Sequence, residues 1–178
     1  MSRGLSSTIK TELASGAFAM AHLVQLELNT TYNYTDYSTD IADGGTTYSA
    51  NGFLHEIGSI SENASMSIGS LELSLSGVNQ TIISDVLNNG YIHRKVTIKR
   101  AFINSSTNSL IESFSLYIGR VESMNIADTG TTSMVQFSVA NQWGDFARLA
   151  GRRTNSGSQN QFFPNDKGFD FITQSNRG

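Results

Sequence analysis

The sequence contains no cysteine among its 178 residues. Disulfides, thiolate metal sites and cysteine nucleophiles are therefore excluded. Charge is also sparse, because charged residues make up 15% of the chain and apolar residues 38%, against roughly 25% and 45–50% in typical soluble domains. The formal net charge is −3 and no block of like charge stands out, so we expect no nucleic-acid binding.

Long apolar runs are missing as well. None approaches the roughly 20 residues that a membrane-spanning helix needs, so we expect no membrane span. The N-terminal stretch holds a lone arginine, Arg3, and lacks the apolar segment of a secretory signal. A chain of 178 residues is long enough for one domain with a sizeable core and short for two.

The clearest pattern that is present is SMSIGSLELSLSG at residues 65–77. Apolar residues alternate there with serines and one glutamate, which predicts a β-strand with one buried face and one solvated face. The apolar set changes parity between Ile68 and Leu71, and Gly69 lies at the change, which predicts a β-bulge at Gly69. We interpret this stretch as the central strand of a single antiparallel β domain.

Alternation with a period of two predicts further strands on both sides of this stretch. They are expected at residues 20–28, 95–102, 113–126 and 133–140. The strand at 113–126 is expected to break at Gly119. In the strand at 95–102, Val96 and Ile98 are expected to face inward and Thr97 outward. The polar residues 29–40 indicate a loop or a solvated edge strand.

Glycines and capping residues predict the turns and helices between these strands. Helices are expected at residues 6–15, which end at Gly16, at residues 81–89, and at residues 141–149 with Trp143. The apolar side of the second helix comprises Ile82, Ile83, Val86 and Leu87. Turns are expected at residues 43–45, 51–52, 104–108 and 128–130. Several strands at short spacing with short helices predict a mainly β fold, an antiparallel β-sandwich or barrel-like domain.

Residues 150–178 differ from the rest of the chain. They show no period of two or 3.6, contain the only proline and keep four phenylalanines, although exposed aromatic residues favour aggregation. The phenylalanines either fold back on their own domain or belong to an arm that becomes ordered on a neighbouring subunit. We predict the second arrangement, with residues 1–149 as a β-rich domain that begins with a helix and residues 150–178 as an extended C-terminal assembly arm.

The residues expected to make the subunit contacts of this arm are aromatic or basic, apart from one proline. They are Arg148, Arg152, Arg153, Phe162, Phe163, Pro164, Phe169 and Phe171. The arginines form the one basic cluster of the chain, and we expect them to pair with acidic residues across a subunit contact. Pro164 fixes one backbone angle and disfavours helix at Phe163, so an extended backbone is expected around Phe162–Phe163.

Residue types that carry chemistry in other proteins are scattered in this sequence. The histidines, which fall on different predicted elements without ligand spacing, are His22, His55 and His93. The acidic residues of one polar loop, which lack the order of a calcium loop, are Asp36, Asp40 and Asp43. No nucleophile elbow, phosphate-binding loop or catalytic carboxylate pair is present. We therefore expect no enzyme activity, no cofactor and no metal.

Three tyrosines leave a binding function open. They are Tyr32, Tyr34 and Tyr37, all within the polar residues 29–40. Exposed side by side, their rings would form a platform for a sugar. The alternative, which we favour, is that they are edge-strand aromatics or interface residues, since tyrosine is enriched at protein interfaces.

The order of these features resembles a known family. The segments that carry the resemblance are the opening helix before residues 22–28, the YTDYSTD loop, GGTTYSANGF, SIGSLELSLSG, a helix that ends in NGY, a basic strand, and IGRV at residues 118–121. Together they are similar to the N-terminal part of the tail-tip or baseplate hub proteins of long-tailed bacteriophages and gene transfer agents. The resemblance covers residues 5–149, and the C-terminal segment looks like the form found in marine-phage tail proteins.

This resemblance implies a structural protein of the virion tail tip, assembled in the host cytoplasm. Such hubs sit below the tail tube, contact the distal tail ring and help to join it to the central fibre or receptor-binding apparatus. A homotrimer is implied. Some relatives carry a cysteine-rich extension suited to an iron–sulfur cluster, a cofactor that does not carry over to this cysteine-free chain. A distal tail ring protein and a carbohydrate-binding β-sandwich module remain the alternatives.

Overall fold

Nine β-strands and three short helices make up the part of the chain that this computed structural model describes, namely residues 6–16, 18–59, 69–76, 80–128, 133–141 and 155–169. The strands are β1 (Phe18–Glu27), β2 (Thr31–Thr35), β3 (Ile41–Asp43), β4 (Thr46–Tyr48), β5 (Leu54–Ile57), β6 (Ser70–Ser76), β7 (Lys95–Asn104), β8 (Leu110–Asp128) and β9 (Ser133–Asn141). The helices are α1 (Ser7–Ser15), α2 (Gln80–Asn88) and α3 (Ser156–Phe162). The predicted mainly β fold is confirmed.

Seven of the strands form one antiparallel sheet, which curls into a half-barrel. The strand order is β2-β1-β7-β8-β9-β6-β5, and β3 pairs with β4 in a separate hairpin. The prediction that residues 65–77 form the central strand is wrong, because β6 lies next to the sheet edge and β8 occupies the middle. Alternating burial shows that one face of a strand is covered, but it carries no information about the position of that strand in the sheet.

The longest strand, β8, joins the two halves of the sheet. Its residues 110–120 pair with β7 and its residues 119–128 pair with β9, so that Gly119 and Arg120 pair on both sides. The predicted break at Gly119 is wrong, since the strand continues through this residue. A Cβ atom at Gly119 would lie 2.4 Å from the Ala140 backbone oxygen and 2.7 Å from the Tyr117 ring. The glycine therefore allows a close approach of backbone and ring rather than a turn.

The main core lies on one face of the curled sheet. Alternate residues of β6 and β9 are fully buried there, as their sequence pattern predicts. These residues are Leu71, Leu73, Leu75, Val135, Phe137 and Val139. Helix α2 adds Ile82 and Val86 to this core, whereas Leu87 is 67% exposed, contrary to the prediction. Ile83 is partly buried and packs against the same core, so the predicted apolar side of α2 is wrong only for Leu87.

A second, smaller core lies on the opposite face of β1 and β7. The hairpin of β3 and β4 covers this face, and its buried side chains are Ile41 and Tyr48. Residues of alternate parity on β1 and β7 complete the cluster, namely Ala21, Leu23, Ala101 and Ile103. The predicted hairpin turn is confirmed, with φ of 56° at Gly44 and 84° at Gly45. Thr97, expected to face solvent, is buried as well.

The helix ends follow the capping rules at α1 and depart from prediction at α3. The Ser6 side chain caps α1 at its start, and Gly16 ends it with φ of 70°, as predicted. Helix α3 was not expected, and the predicted extended backbone is wrong for Phe162, which is its last residue. Phe163 has φ of −134° and leaves the helix directly before Pro164.

Several predictions lie outside the described residues. These concern the strand segment 65–68, the turn at 129–130, residues 142–149 of the helix predicted at 141–149 with Trp143, and the side chains of Arg148, Arg152, Arg153 and Phe171. The first residue of that predicted helix, Asn141, is the last residue of β9 instead, so the prediction is wrong there. The bulge at Gly69 stays a prediction, because the ladder of β6 with β9 is regular and the preceding segment is not described. The chain divides into two compact units, Met1–Phe146 and Ala147–Gly178. No helix of the described ranges is long and apolar enough to cross a membrane.

Candidate assembly surfaces

The histidines are not gathered by the fold. His22 lies on β1, His55 on the edge strand β5, and His93 in the loop before β7 with a left-handed φ of 63°. Within the described ranges, no group of three or more potential metal-ligating side chains is found. The structure therefore offers no histidine metal centre in that part of the chain.

His22 instead belongs to a polar clamp with Asp36 and Arg100. The Asp36 carboxylate accepts hydrogen bonds from the His22 backbone N–H at 2.7 Å and from Nδ1 at 2.8 Å. Arg100 lies opposite His22 in the sheet, and its Nη2 is 3.0 Å from His22 Nε2. Because a guanidinium only donates hydrogen bonds, Nε2 accepts, and the proton of the neutral ring resides on Nδ1. The clamp fixes the chain after β2 to β1.

The electrostatics of this clamp favour an ionised carboxylate. Burial raises the pKa of Asp36, but the hydrogen bonds that it accepts from the His22 side chain and backbone outweigh this effect, so that the pKa lies below its ordinary value. No hydroxyl or thiol nucleophile lies within hydrogen-bond distance of His22 among the described residues. The bonds among these three residues join β1, β7 and the chain after β2, so the arrangement acts as a structural clamp.

The three aspartates of the polar loop point to different partners. Asp36 binds His22, and Asp40 accepts a hydrogen bond from the Ala50 backbone N–H at 2.8 Å. Asp43 forms an ion pair of 2.8 Å with Lys99 and accepts a hydrogen bond of 2.9 Å from the Ser113 hydroxyl. They therefore do not form a common cation site.

Asp43 is a structural residue that the sequence did not reveal. Its bonds with Lys99 and Ser113 fasten the hairpin of β3 and β4 to the sheet. The hydrogen bond that Lys99 donates to Asp43 raises the pKa of Lys99 despite partial burial. The three residues are 56 and 70 positions apart in the chain, so no local pattern could have linked them.

The tyrosines do not form an exposed platform, so the less favoured alternative of a sugar-binding platform is wrong. Tyr32 and Tyr34 are 8% and 5% exposed, stack at 6.2 Å and belong to the main core. Tyr37 is half-buried, and its hydroxyl donates a 2.8 Å hydrogen bond to Asn108 Oδ1. The alternative interpretation as edge-strand aromatics is confirmed for Tyr32 and Tyr34, because β2 forms one edge of the sheet.

A buried carboxylate, Asp85, also escaped prediction. It lies on α2, is 8% exposed and accepts hydrogen bonds from the Thr30 backbone N–H at 3.1 Å, the Tyr32 hydroxyl at 3.3 Å and Asn89 Nδ2 at 2.8 Å. Burial and the nearby Asp85 charge raise the pKa of Tyr32. These bonds hold α2 against the turn between β1 and β2, below a polar groove of about 450 Å³.

The surfaces that remain for assembly are strand edges and exposed apolar side chains. The edge of β2 is partly covered, because Thr35 N–H and Asn33 C=O both bond to Ser49. At the other edge, His55 and Glu56 of β5 are exposed. The large apolar side chains that are exposed in the described ranges are Leu13, Met20, Leu87, Ile92, Ile118, Phe162 and Phe163. Exposed apolar groups of this kind are candidates for contacts with other subunits.

The C-terminal unit is held by hydrogen bonds of its own around α3. Asn155 caps the helix, Gln159 donates to the Asp166 carboxylate at 2.5 Å, and the Ser156 hydroxyl donates to the Phe169 carbonyl at 2.7 Å. The Gln159 hydrogen bond lowers the pKa of Asp166. Phe162 and Phe163 are 61% and 55% exposed, Pro164 is exposed, and Phe169 is half-buried. Their role in subunit contacts stays a prediction.

Comparison with known proteins decides the family. A family model described as the N-terminal attachment domain of the baseplate hub protein matches residues 6–142, which include α1, α2 and all nine strands. The chain belongs to the baseplate hub protein family. The resemblance inferred from the sequence is thereby confirmed.

Two relatives place this hub domain in a wider context. The chain is 32% identical over 158 residues to the baseplate hub protein pb3 of Escherichia phage T5, a match that covers 78% of this chain and 16% of that protein. It also superimposes with a TM-score of 0.66 on a chain of the virion of a native gene transfer agent particle. That pair shares 14% identity, with 84% of this chain and 49% of the other covered, so the likeness shows the fold alone.

Membership of the baseplate hub family identifies this chain as a structural tail or baseplate protein of a phage virion. The hub domain spans only part of the length of its relatives, since 84% of pb3 lies outside the match.

Proposed function

We propose that this chain forms the hub ring of a tail tip, as a homotrimer that joins the distal tail ring to the central fibre or receptor-binding apparatus. The observation that carries this proposal is the match of the hub attachment domain to the whole β fold, residues 6–142. The ring is assembled in the host cytoplasm and functions in the virion without catalysing a reaction.

The contacts within the described ranges support a structural role. The polar side chains that often serve catalysis are used to fasten elements together, as in the clamp of His22, Asp36 and Arg100. The ion pair of Asp43 and Lys99 fastens the outer hairpin in the same way. A domain whose elements are fastened at several points suits a protein that keeps other proteins in fixed positions.

We propose further that residues 150–178 make contacts with a neighbouring subunit. Phe162 and Phe163 present two adjacent apolar side chains, and burial of a phenylalanine is worth roughly 1.5–3 kcal/mol. Pro164, Phe169 and Phe171 extend this apolar segment. Arg148, Arg152 and Arg153 at its root would pair with carboxylates of the neighbour, which sets the direction of the segment.

An image reconstruction of the particle tests the proposed ring. A threefold ring directly below the tail tube, with density for this hub domain, is the expected result. A sixfold ring at that level would assign the chain to the distal tail ring instead. We do not propose a sugar-binding function, because it would need exposed tyrosine rings and Tyr32 and Tyr34 are buried.

A further inference from the structure

The sequence contains two Asn-Gly pairs, Asn51–Gly52 and Asn89–Gly90. Asparagine before glycine can lose its side-chain amide without an enzyme, because a glycine has no Cβ atom to shield its backbone nitrogen from the preceding side chain. The fold places the two pairs in different surroundings. These surroundings decide which asparagine can react in the folded chain.

The first pair lies in an exposed turn before β5. Asn51 and Gly52 are both exposed, and Gly52 has φ of 73° with no atom within 4 Å of the position of a Cβ. The side-chain oxygen of Asn51, Oδ1, accepts a hydrogen bond of 3.1 Å from the Phe53 backbone N–H. The ring that this Asx turn closes contains the Gly52 nitrogen and keeps the side-chain amide close to it. The same hydrogen bond polarises the amide carbonyl, so that its carbon, Cγ, is more open to attack.

The second pair lies at the end of α2, where its asparagine is held at two points. Asn89 Nδ2 donates a 2.8 Å hydrogen bond to the carboxylate of Asp85, which is 8% exposed. The Asn89 backbone N–H donates a 2.9 Å hydrogen bond to the Asp85 carbonyl. Loss of the Asn89 amide would break a hydrogen bond to a buried charged group, and such bonds are stronger than bonds between neutral groups. We therefore expect Asn89 to keep its amide in the folded chain.

We propose that Asn51 is a site of spontaneous deamidation, with water as the co-reactant. The Gly52 nitrogen attacks Asn51 Cγ, and the new C–N bond closes a succinimide ring. The C–N bond to Nδ2 breaks, and Nδ2 leaves as ammonia with the proton that the Gly52 nitrogen gives up. Water then opens the ring at either carbonyl, which yields aspartate or isoaspartate with one new carboxylate. No atom is oxidised or reduced, and the site does not depend on the proposed ring.

The reaction changes the entry into β5. The backbone N–H of Ala50, the residue before the site, donates a 2.8 Å hydrogen bond to Asp40, so the new carboxylate arises near an existing one and is repelled by it. In isoaspartate the main chain passes through Cβ and gains one carbon, so the turn to Phe53 loses its geometry. The Phe53 carbonyl accepts a 2.7 Å hydrogen bond from the Ser76 N–H on β6. We therefore expect the start of β5 to loosen from β6 after the reaction.

Peptide mapping of the full chain by mass spectrometry tests the site. The folded chain is incubated at mildly alkaline pH and sampled over days, and electron-transfer fragmentation separates aspartate from isoaspartate. Asn51 should be converted at least about tenfold faster than Asn89, which serves as the internal control. Synthetic peptides with the sequences SANGFL and LNNGYI provide the reference rates. They should react at similar rates, because neither asparagine is held there by a fold.

Asn51→Gln is the matched control variant. Its longer side chain closes a ring onto the Gly52 nitrogen much less readily, so residue 51 should keep its amide. After equal incubation, hydrogen exchange of the Ser76 amide should be faster in the converted chain than in this variant, and equal exchange would contradict the loosening of β5. The proposal is overturned if Asn51 keeps its amide in the folded chain while its peptide reacts. It is overturned equally if Asn89 is converted as fast as Asn51.

Discussion

Gly119 offers the sharpest test of how the sheet is built. A Cβ atom at this position would lie 2.4 Å from the Ala140 backbone oxygen, 2.7 Å from the Tyr117 ring and 2.8 Å from Val139 Cγ1. The Ala140 oxygen belongs to the ladder of β8 with β9 and cannot move without disturbing it. The Tyr117 ring is fixed as well, because its hydroxyl donates a 2.9 Å hydrogen bond to the Val139 carbonyl. Burial at this position raises the pKa of Tyr117 to about 12.

We therefore expect Gly119→Ala to destabilise the fold by about 3 kcal/mol, the upper part of the range for overpacked cores, because backbone rather than a flexible side chain must give way. For a chain of this size that loss lowers the melting temperature by roughly 6–12 °C. Thermal and urea unfolding followed by circular dichroism measure the change.

Gly90→Ala is the matched control. No atom lies within 4 Å of a Cβ there, so the change should stay within about 0.5 kcal/mol. If Gly119→Ala melted as the unchanged chain does, the close approach of β8 and β9 would be an incorrect description, and the reasoning would fail.

Three further predictions address the attachments described above. Ser6→Ala should cost about 1 kcal/mol in the free energy of unfolding, because it removes the cap of α1 and its bond to Glu112, whereas the exposed Thr8→Ala should cost nothing measurable. The pKa of Asp36 in the folded chain lies below its unfolded value of 3.8, so the ionised carboxylate stabilises the fold fully above pH 3.8. This stabilisation is lost as the pH falls through the lower pKa of the folded state. Melting curves between about pH 5 and pH 3 should therefore drop less steeply for Asp36→Asn, and equal slopes would contradict the clamp. Deletion of residues 151–178 should leave a folded, soluble domain that fails to enter tails, and unfolding of the truncated chain would show that its phenylalanines stabilise the remaining domain.

Local patterns predicted the elements of the fold well. Alternation gave the buried sets of β6 and β9, and glycine pairs gave the hairpin turn at Gly44 and Gly45. Capping residues located α1 and its end. These features depend on a few neighbouring residues, whose conformational preferences act before any tertiary contact is made.

Features set by distant parts of the chain were not predictable in the same way. The place of β6 near an edge depends on which strands pair, and alternation does not encode pairing. Asp43 and Asp85 acquired their roles from partners more than 50 positions away. The glycine at 119 was misinterpreted as a break, because its reason is a neighbouring strand rather than its own backbone. Helix α3 has seven residues and lacks an apolar period, so only its Asn155 cap could have indicated it.

Gly119 and Arg120, the two residues of β8 that pair with both β7 and β9, link the two halves of the sheet. Strands β2, β1 and β7 are joined to strands β9, β6 and β5 through an overlap only as long as Gly119 and Arg120. The two sets of strands therefore share a short stretch of β8, and at Gly119 this stretch leaves room for the Ala140 backbone only because the residue has no Cβ atom. In the proposed ring, we expect a side chain at residue 119 to change how the two sets of strands meet within each domain, while the residues at the outer edge strands β2 and β5 stay the same.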